Sequence, residues 1–183
     1  MLHYGQPRLK NPRRFWLNTN DLVRVRTGEQ ITKTIKHGFE TSNLMTDYWL
    51  AKQEPSGPRG YSFDQLKKDK TTVWDGVHNN LALKHMREMK PGDLVIFYHT
   101  GTERQAVGIM QVTSKPYPNP EEDNKRFIVV DVKYKKSLKR PVTLDEIKSN
   151  ERFKDWELVR ISRLSVMPVP KPIWDLILEL SQS

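Results

Sequence analysis

From Tyr48 onward, short apolar runs alternate with turn-rich polar stretches, and the spacing within each run predicts the elements. Tyr48-Trp-Leu-Ala-Lys52 is aromatic and apolar and reads as a buried strand. Glu54 to Gly60 is dense in Pro, Gly and Ser and reads as a loop. Ser62 is placed to cap a short helix that runs to Lys68, with Phe63 and Leu66 facing inward. Thr72–Trp74 leads into the turn signal Asp75-Gly76. Asn80 to Met89 has helical spacing, and Pro91-Gly92 stops it. Asp93–His99 is the clearest strand; its unbroken apolar middle implies burial on both faces. Gln105–Thr113 is the next strand, and Gly108 inside it marks a bulge or a close approach of another group.

Further on, Arg126–Lys136 alternates, with Ile128, Val130, Val132 and Tyr134 on one side, and leaves through a Lys-rich exit. Thr143-Leu-Asp-Glu146 is a capping box that opens a short helix to Lys148. Phe153 and Trp156 are isolated aromatics that read as core plugs. Ile161–Val166 reads as a strand ended by Pro168 and Pro170, and Pro172–Leu180 as a closing amphipathic helix. Five or six strands with three or four short helices, and no βαβ alternation, predict an α+β fold: a small mixed β-barrel flanked by helices.

Composition narrows the chemistry. The chain has 183 residues and no cysteine, which excludes disulfides, Cys-ligated zinc, iron–sulfur clusters and a thiol nucleophile. No apolar run approaches the roughly 18–20 residues that span a bilayer, so no membrane partner is expected. Lys and Arg number 31 against 22 Asp and Glu, a net charge of +9 that favours an anionic partner, nucleic acid first. That charge is uneven: residues 1–45 hold 8 basic and 3 acidic residues, against 23 and 19 in residues 46–183. Residues 1–45 read as a basic disordered extension, with a phosphate-contacting arm or a true start at Met45 as alternatives. The five histidines (His3, His37, His78, His85, His99) show no ligand spacing, and no phosphate-cradling or nucleophile motif occurs. No metal, no cofactor and no catalysis are therefore expected, and a monomer is the default state.

Four segments set an aromatic beside polar groups near strand ends or turns: Trp49–Pro55, Val73–Asn80, Phe97–Thr100 and Arg160–Val166. Singly, each has a structural reading. Trp49 suits a core, Trp74 suits either a core lid or an exposed stacking plate, and His99 suits a strand-end hydrogen bond. Arg163 suits a solvated face or a partner for Asp75 or Glu54. Together they suggest a pocket for a planar polar ligand. A ring gives a stacking face, a carboxylate accepts from an exocyclic amine, and Asn79 both donates and accepts. In that pocket a flipped base stacks on Trp74, opposite Tyr98 or Trp49. Lys52, Glu54, Asp75 and Asn79 read its edge, and Gln53, Val77, His99, Arg163 and Ser165 complete the lining.

At these segments the sequence strongly resembles the EVE domain, of the PUA-like superfamily. The matching stretches are Tyr48–Pro55, Thr72–Asn79, Met89–His99, Val107–Ile109, Tyr117–Pro120 and Ser162–Val166, in order between Asp47 and Leu180. Gln53 stands where members commonly carry Ser, and His78 where they carry Arg. The resemblance implies a PUA-like mixed barrel and a non-catalytic role: binding DNA or RNA that carries methylated or hydroxymethylated cytosine, or N6-methyladenosine. By similarity to the YTH domains it implies that Lys52-Gln53-Glu54 lines the base edge and that Trp74, with Asp75 beside it, walls an aromatic cage. The alternatives are a nucleotide or small-molecule sensor using the same pocket, and a nuclease or RNA-modifying enzyme. A bacterial member would act in the cytoplasm and a eukaryotic one in the nucleus.

Overall fold

A computed structural model describes residues 46–182, so the readings of residues 1–45 lie outside the described residues. Its strands are β1 (Tyr48–Gln53), β2 (Thr71–Trp74), β3 (Leu94–His99), β4 (Gln105–Val112), β5 (Tyr117–Pro118), β6 (Ile128–Thr143) and β7 (Val166–Pro168). Its α-helices are α1 (Phe63–Asp69), α2 (Asn80–Glu88), α3 (Leu144–Ser149), α4 (Glu157–Arg160) and α5 (Lys171–Leu180). The sheet order is β2-β6-β4-β3-β1-β7, with β5 added to β6. Only β1 and β3 run parallel; the other pairs are antiparallel. The sheet curls into a half-barrel, and α2 packs against both β7 and β6, bridging its open side.

β3 is the centre of the molecule. Val95, Ile96, Phe97 and Tyr98 are each at most 2% exposed, which is the two-sided burial its sequence requires. A bulge shapes it: Phe97 pairs with Gly108 while Tyr98 pairs with Ala106, so Val107 is the extra residue on β4. Gly108 also serves the close-approach role. A Cβ placed there would stand 2.0 Å from Phe63 Cζ, so the missing side chain is what lets the Phe63 ring lie on the sheet. Phe63 in turn packs on Phe97 and Tyr134, at ring-centroid distances of 5.3 and 5.4 Å.

Asp93 ties the start of β3 to its surroundings. It is 2% exposed, and its carboxylate accepts from Trp49 Nε1 (2.9 Å), the Lys90 backbone N–H (2.9 Å) and the Asp47 backbone N–H (3.1 Å). Three donors on one buried carboxylate replace the water it has lost. The helices start where the sequence places them. Ser62 Oγ accepts from the Gln65 N–H, and Thr143 and Glu146 form the reciprocal capping box.

Two elements differ from expectation. Ile161–Val166 is not a strand: α4 ends at Arg160, a turn closed by Leu164 N–H donating to Ile161 O follows it, and the strand is Val166–Pro168. Its alternation arises from Leu164 and Val166 entering the core, while Ile161 stays exposed. Pro168 is tolerated because β7 is an edge strand. The third long strand also continues past Lys136 to Thr143, since its Lys-rich half pairs with β4 while pointing polar groups to solvent.

Two stability predictions follow from these contacts. Gly108→Ala should destabilise the fold by about 1–3 kcal/mol through overpacking, and adding Phe63→Leu should recover part of the loss. Asp93→Ala should cost about 3 kcal/mol or more, since three buried donors lose their acceptor, whereas Trp49→Phe should cost less. Urea unfolding measures both; a neutral Gly108→Ala or an Asp93→Ala milder than Trp49→Phe would contradict these roles.

Candidate nucleic-acid interface

Adjacent residues of a strand point to opposite faces, and this rule divides the sequence-predicted site. Register places Ala51 beside Phe97 and Gln53 beside His99, while Lys52 lies beside Tyr98. Trp74 meets the edge of Phe97 at 5.3 Å and 90°. Trp74, Phe97, His99 and Phe63 therefore form one aromatic cluster inside the half-barrel. Tyr98 and Lys52 belong to the other face. A base cannot lie between Trp74 and Tyr98, because β3 itself stands between them.

The remaining second wall, Trp49, is also elsewhere. Its indole is 4% exposed, bonded to Asp93 and 6.2 Å from the His85 ring, so it serves the core at the start of β1. His99 is spent on structure as well. Its Nε2 accepts from the Phe63 N–H (3.0 Å), so its proton sits on Nδ1, which donates to Glu103 (2.7 Å). That bond holds the Glu103 carboxyl below its ordinary value. Gln53 Nε2 donates to Arg59 O, and exposed Glu54 accepts from Thr100 Oγ1. Asn79 Oδ1 caps α2 by accepting from the Leu81 and Ala82 N–H groups, which leaves only its amide free to read a ligand. Arg163 is exposed on the turn before β7, with no partner among the described residues, so it is not a buried mate of Asp75 or Glu54. Ser165 is half-buried, and its carbonyl accepts from the Lys52 N–H at 2.8 Å.

What the fold does bring together is the segment after β2 and the loop before β6. Trp74 pairs with Val130, so β2 ends where β6 begins. Beyond it, Asp75 is exposed, and Gly76 adopts φ +68 facing open space, a turn that needs glycine. Val77 is 8% exposed and covers the cluster. The His78 ring then meets the Phe127 ring at 4.6 Å, and its Nε2 lies 3.0 Å from Glu122. Arg126 lies over the other part of this edge, its guanidinium 5.2 Å from the Phe127 ring centre and 2.5 Å from Asn80 Oδ1. Half-exposed Phe127 is thus flanked by a cation and by an imidazole that is itself paired with Glu122. Sequence reasoning placed Phe127 in a strand and passed over Arg126; the Arg-Phe pair at the start of a strand was the available signal.

The other face holds a cavity of about 310 Å³ with Lys52 and Tyr98 in its wall. Lys52 Nζ donates to Ser162 O (2.9 Å) and lies 6.0 Å above the Tyr98 ring. Burial lowers the Lys52 pKa to about 8 and pushes that of Tyr98 up to about 12. Among the described residues no cluster of His, Asp and Glu could hold a metal ion, and no helix is long and apolar enough to cross a membrane.

The chain is similar to known proteins over its described residues. The EVE domain pattern matches residues 47–180. Thymocyte nuclear protein 1 of Rattus norvegicus is 30% identical over 170 residues, covering 76% of this chain and 75% of that protein. Among solved structures, Rpa0253 from Rhodopseudomonas palustris is 37% identical with a TM-score of 0.70, covering 75% of this chain and 94% of that one. Human THYN1 in complex with 5-methylcytosine-containing DNA is 30% identical with a TM-score of 0.70, covering 75% of this chain and 99% of that one. The family pattern over residues 47–180 and these relatives show that the chain belongs to the EVE domain family.

Proposed function

We propose that this protein binds DNA by reading a single 5-methylcytosine at the junction of β2 and β6, without breaking a bond. The observation that carries the reading is the meeting of His78 with Phe127 and of Asn80 with Arg126, next to the Trp74–Val77 segment. It is supported by the human relative, which was crystallised with DNA containing this base.

Each group has a task that follows from its chemistry. Phe127 offers a stacking face, and base–aromatic stacking contributes about 1–3 kcal/mol. Trp74 is 6% exposed, so it acts as the rigid wall behind the site, held edge-on by Phe97. Val77 supplies apolar surface for the 5-methyl group, whose burial is worth about 0.8 kcal/mol, or roughly fourfold in affinity. Asp75 has an open carboxylate, the acceptor that the exocyclic 4-amino group of cytosine needs. Arg126 is placed to meet a backbone phosphate.

The discriminating probe is thymine. It carries the same 5-methyl group as 5-methylcytosine but presents a carbonyl oxygen in place of the 4-amine. Fluorescence anisotropy with oligonucleotides differing in that one base should rank 5-methylcytosine first, cytosine about fourfold weaker, and thymine weaker still. Asp75→Asn should narrow the gap between 5-methylcytosine and thymine, while Phe127→Ala should weaken binding about tenfold for both. Equal affinity for all three bases in the native protein would sink the reading. Arg126→Gln should weaken binding for every sequence alike and lower the salt-dependence slope by about one phosphate contact. A sequence-dependent loss would assign Arg126 to base reading instead.

A further inference from the structure

The cavity on the opposite face of β3 is built differently from the base site. Its floor is Tyr98, which is 2% exposed, yet its hydroxyl makes no hydrogen bond with any described residue. That hydroxyl opens to the cavity and, with its proton retained by burial, is available as a donor. Lys52 stands beside it and spends one of its three N–H donors on Ser162 O.

Two further cations complete the rim. Arg104 has φ +43, and its carbonyl accepts from the Leu144 N–H at 2.8 Å, which anchors it at the start of α3. Lys148 lies in the last turn of the same helix. Neither side chain has a hydrogen-bonded or ionic partner among the described residues. Two carboxylates face this region. Asp145 is close enough to act on the Tyr98 hydroxyl, and Glu54 sits against Gly101 at the rim, occupied by Thr100 Oγ1. Three cations and a phenol therefore outweigh two acids. The opposite wall is apolar, formed by Leu144, Leu158 and Val159.

We propose that this cavity binds a phosphoryl group attached to a small organic body, in the size range of a mononucleotide. Convergent cationic donors suit an anion with several acceptor oxygens, and the volume lies at the small end of ligand sites, about 300–1,000 Å³. A bare phosphate would leave the apolar wall unused. A free mononucleotide and the phosphorylated end of a nucleic-acid strand share the chemistry. The inference does not rest on base reading at Phe127, since none of the residues that line this cavity belongs to that site.

The test uses the full chain and calorimetric titration with inorganic phosphate, cytidine, cytidine 5′-monophosphate, and one oligonucleotide with and without a 5′-phosphate. The monophosphate should bind at least tenfold tighter than cytidine and tighter than inorganic phosphate. If only the 5′-phosphorylated oligonucleotide shows the gain, the source is a strand end and the phosphoryl site stands. Tyr98→Phe keeps the ring and should lose at least fivefold. The exposed pair Arg104→Gln with Lys148→Gln should lose tenfold while the preference for 5-methylcytosine is unchanged. As a second readout, NMR titration of Lys52 should show its midpoint rising when the monophosphate is bound. No gain from phosphorylation in either ligand pair, or full binding by both variants, would overturn the proposal.

Discussion

The arrangement of this protein depends on the burial of β3 from both sides. Phe97 and Tyr98 are neighbours in the chain and both are almost fully enclosed, yet they belong to different compartments. One ring joins Trp74, Phe63 and His99 inside the half-barrel; the other floors a cation-lined cavity under α3 and α4. Such a strand is a wall that no ligand crosses. The candidate site residues on the strands beside it therefore fall on one side or the other, and chain adjacency is a poor guide to which.

The wall is held in place at both ends. At its start, the buried Asp93 carboxylate gathers donors from β1 and from the turn after α2. At its end, His99 bonds the first residue of α1 on one side and Glu103 on the other. Between them, the Val107 bulge and the absent side chain of Gly108 let β4 curl while the tip of the Phe63 ring packs against it. The curl carries the Trp74 indole across to Phe97, although β2 and β3 are separated by two strands in the sheet.

Local signals in the sequence marked most of this framework. The caps at Ser62 and Thr143, the break at Pro91-Gly92, the apolar core of β3 and the meaning of Gly108 all depend on near neighbours and were legible there. The strand assigned to Ile161–Val166 was not, because apolar alternation cannot distinguish a strand from a turn that drops two side chains into a core. The site was legible as a set of motifs and illegible as a geometry. Trp74, Asp75 and Val77 share the candidate base site, whereas Lys52 and Tyr98 lie behind the sheet and Trp49 serves Asp93. Phe127 and Arg126 were missed because their significance comes from His78 and Asn80, far away in the chain, as the 46-residue separation of Arg126 and Asn80 illustrates.

That base reading and phosphoryl binding use separate sets of residues is tested most directly by mapping amide and indole chemical shifts. The uniformly ¹⁵N-labelled full chain would be titrated with a 5-methylcytosine oligonucleotide lacking a terminal phosphate. The account predicts shifts concentrated at the Trp74 indole, Gly76, Val77 and Phe127, with Lys52, Tyr98 and Lys148 essentially unmoved. Shifts centred on Lys52 and Tyr98, with Trp74 and Phe127 silent, would contradict it.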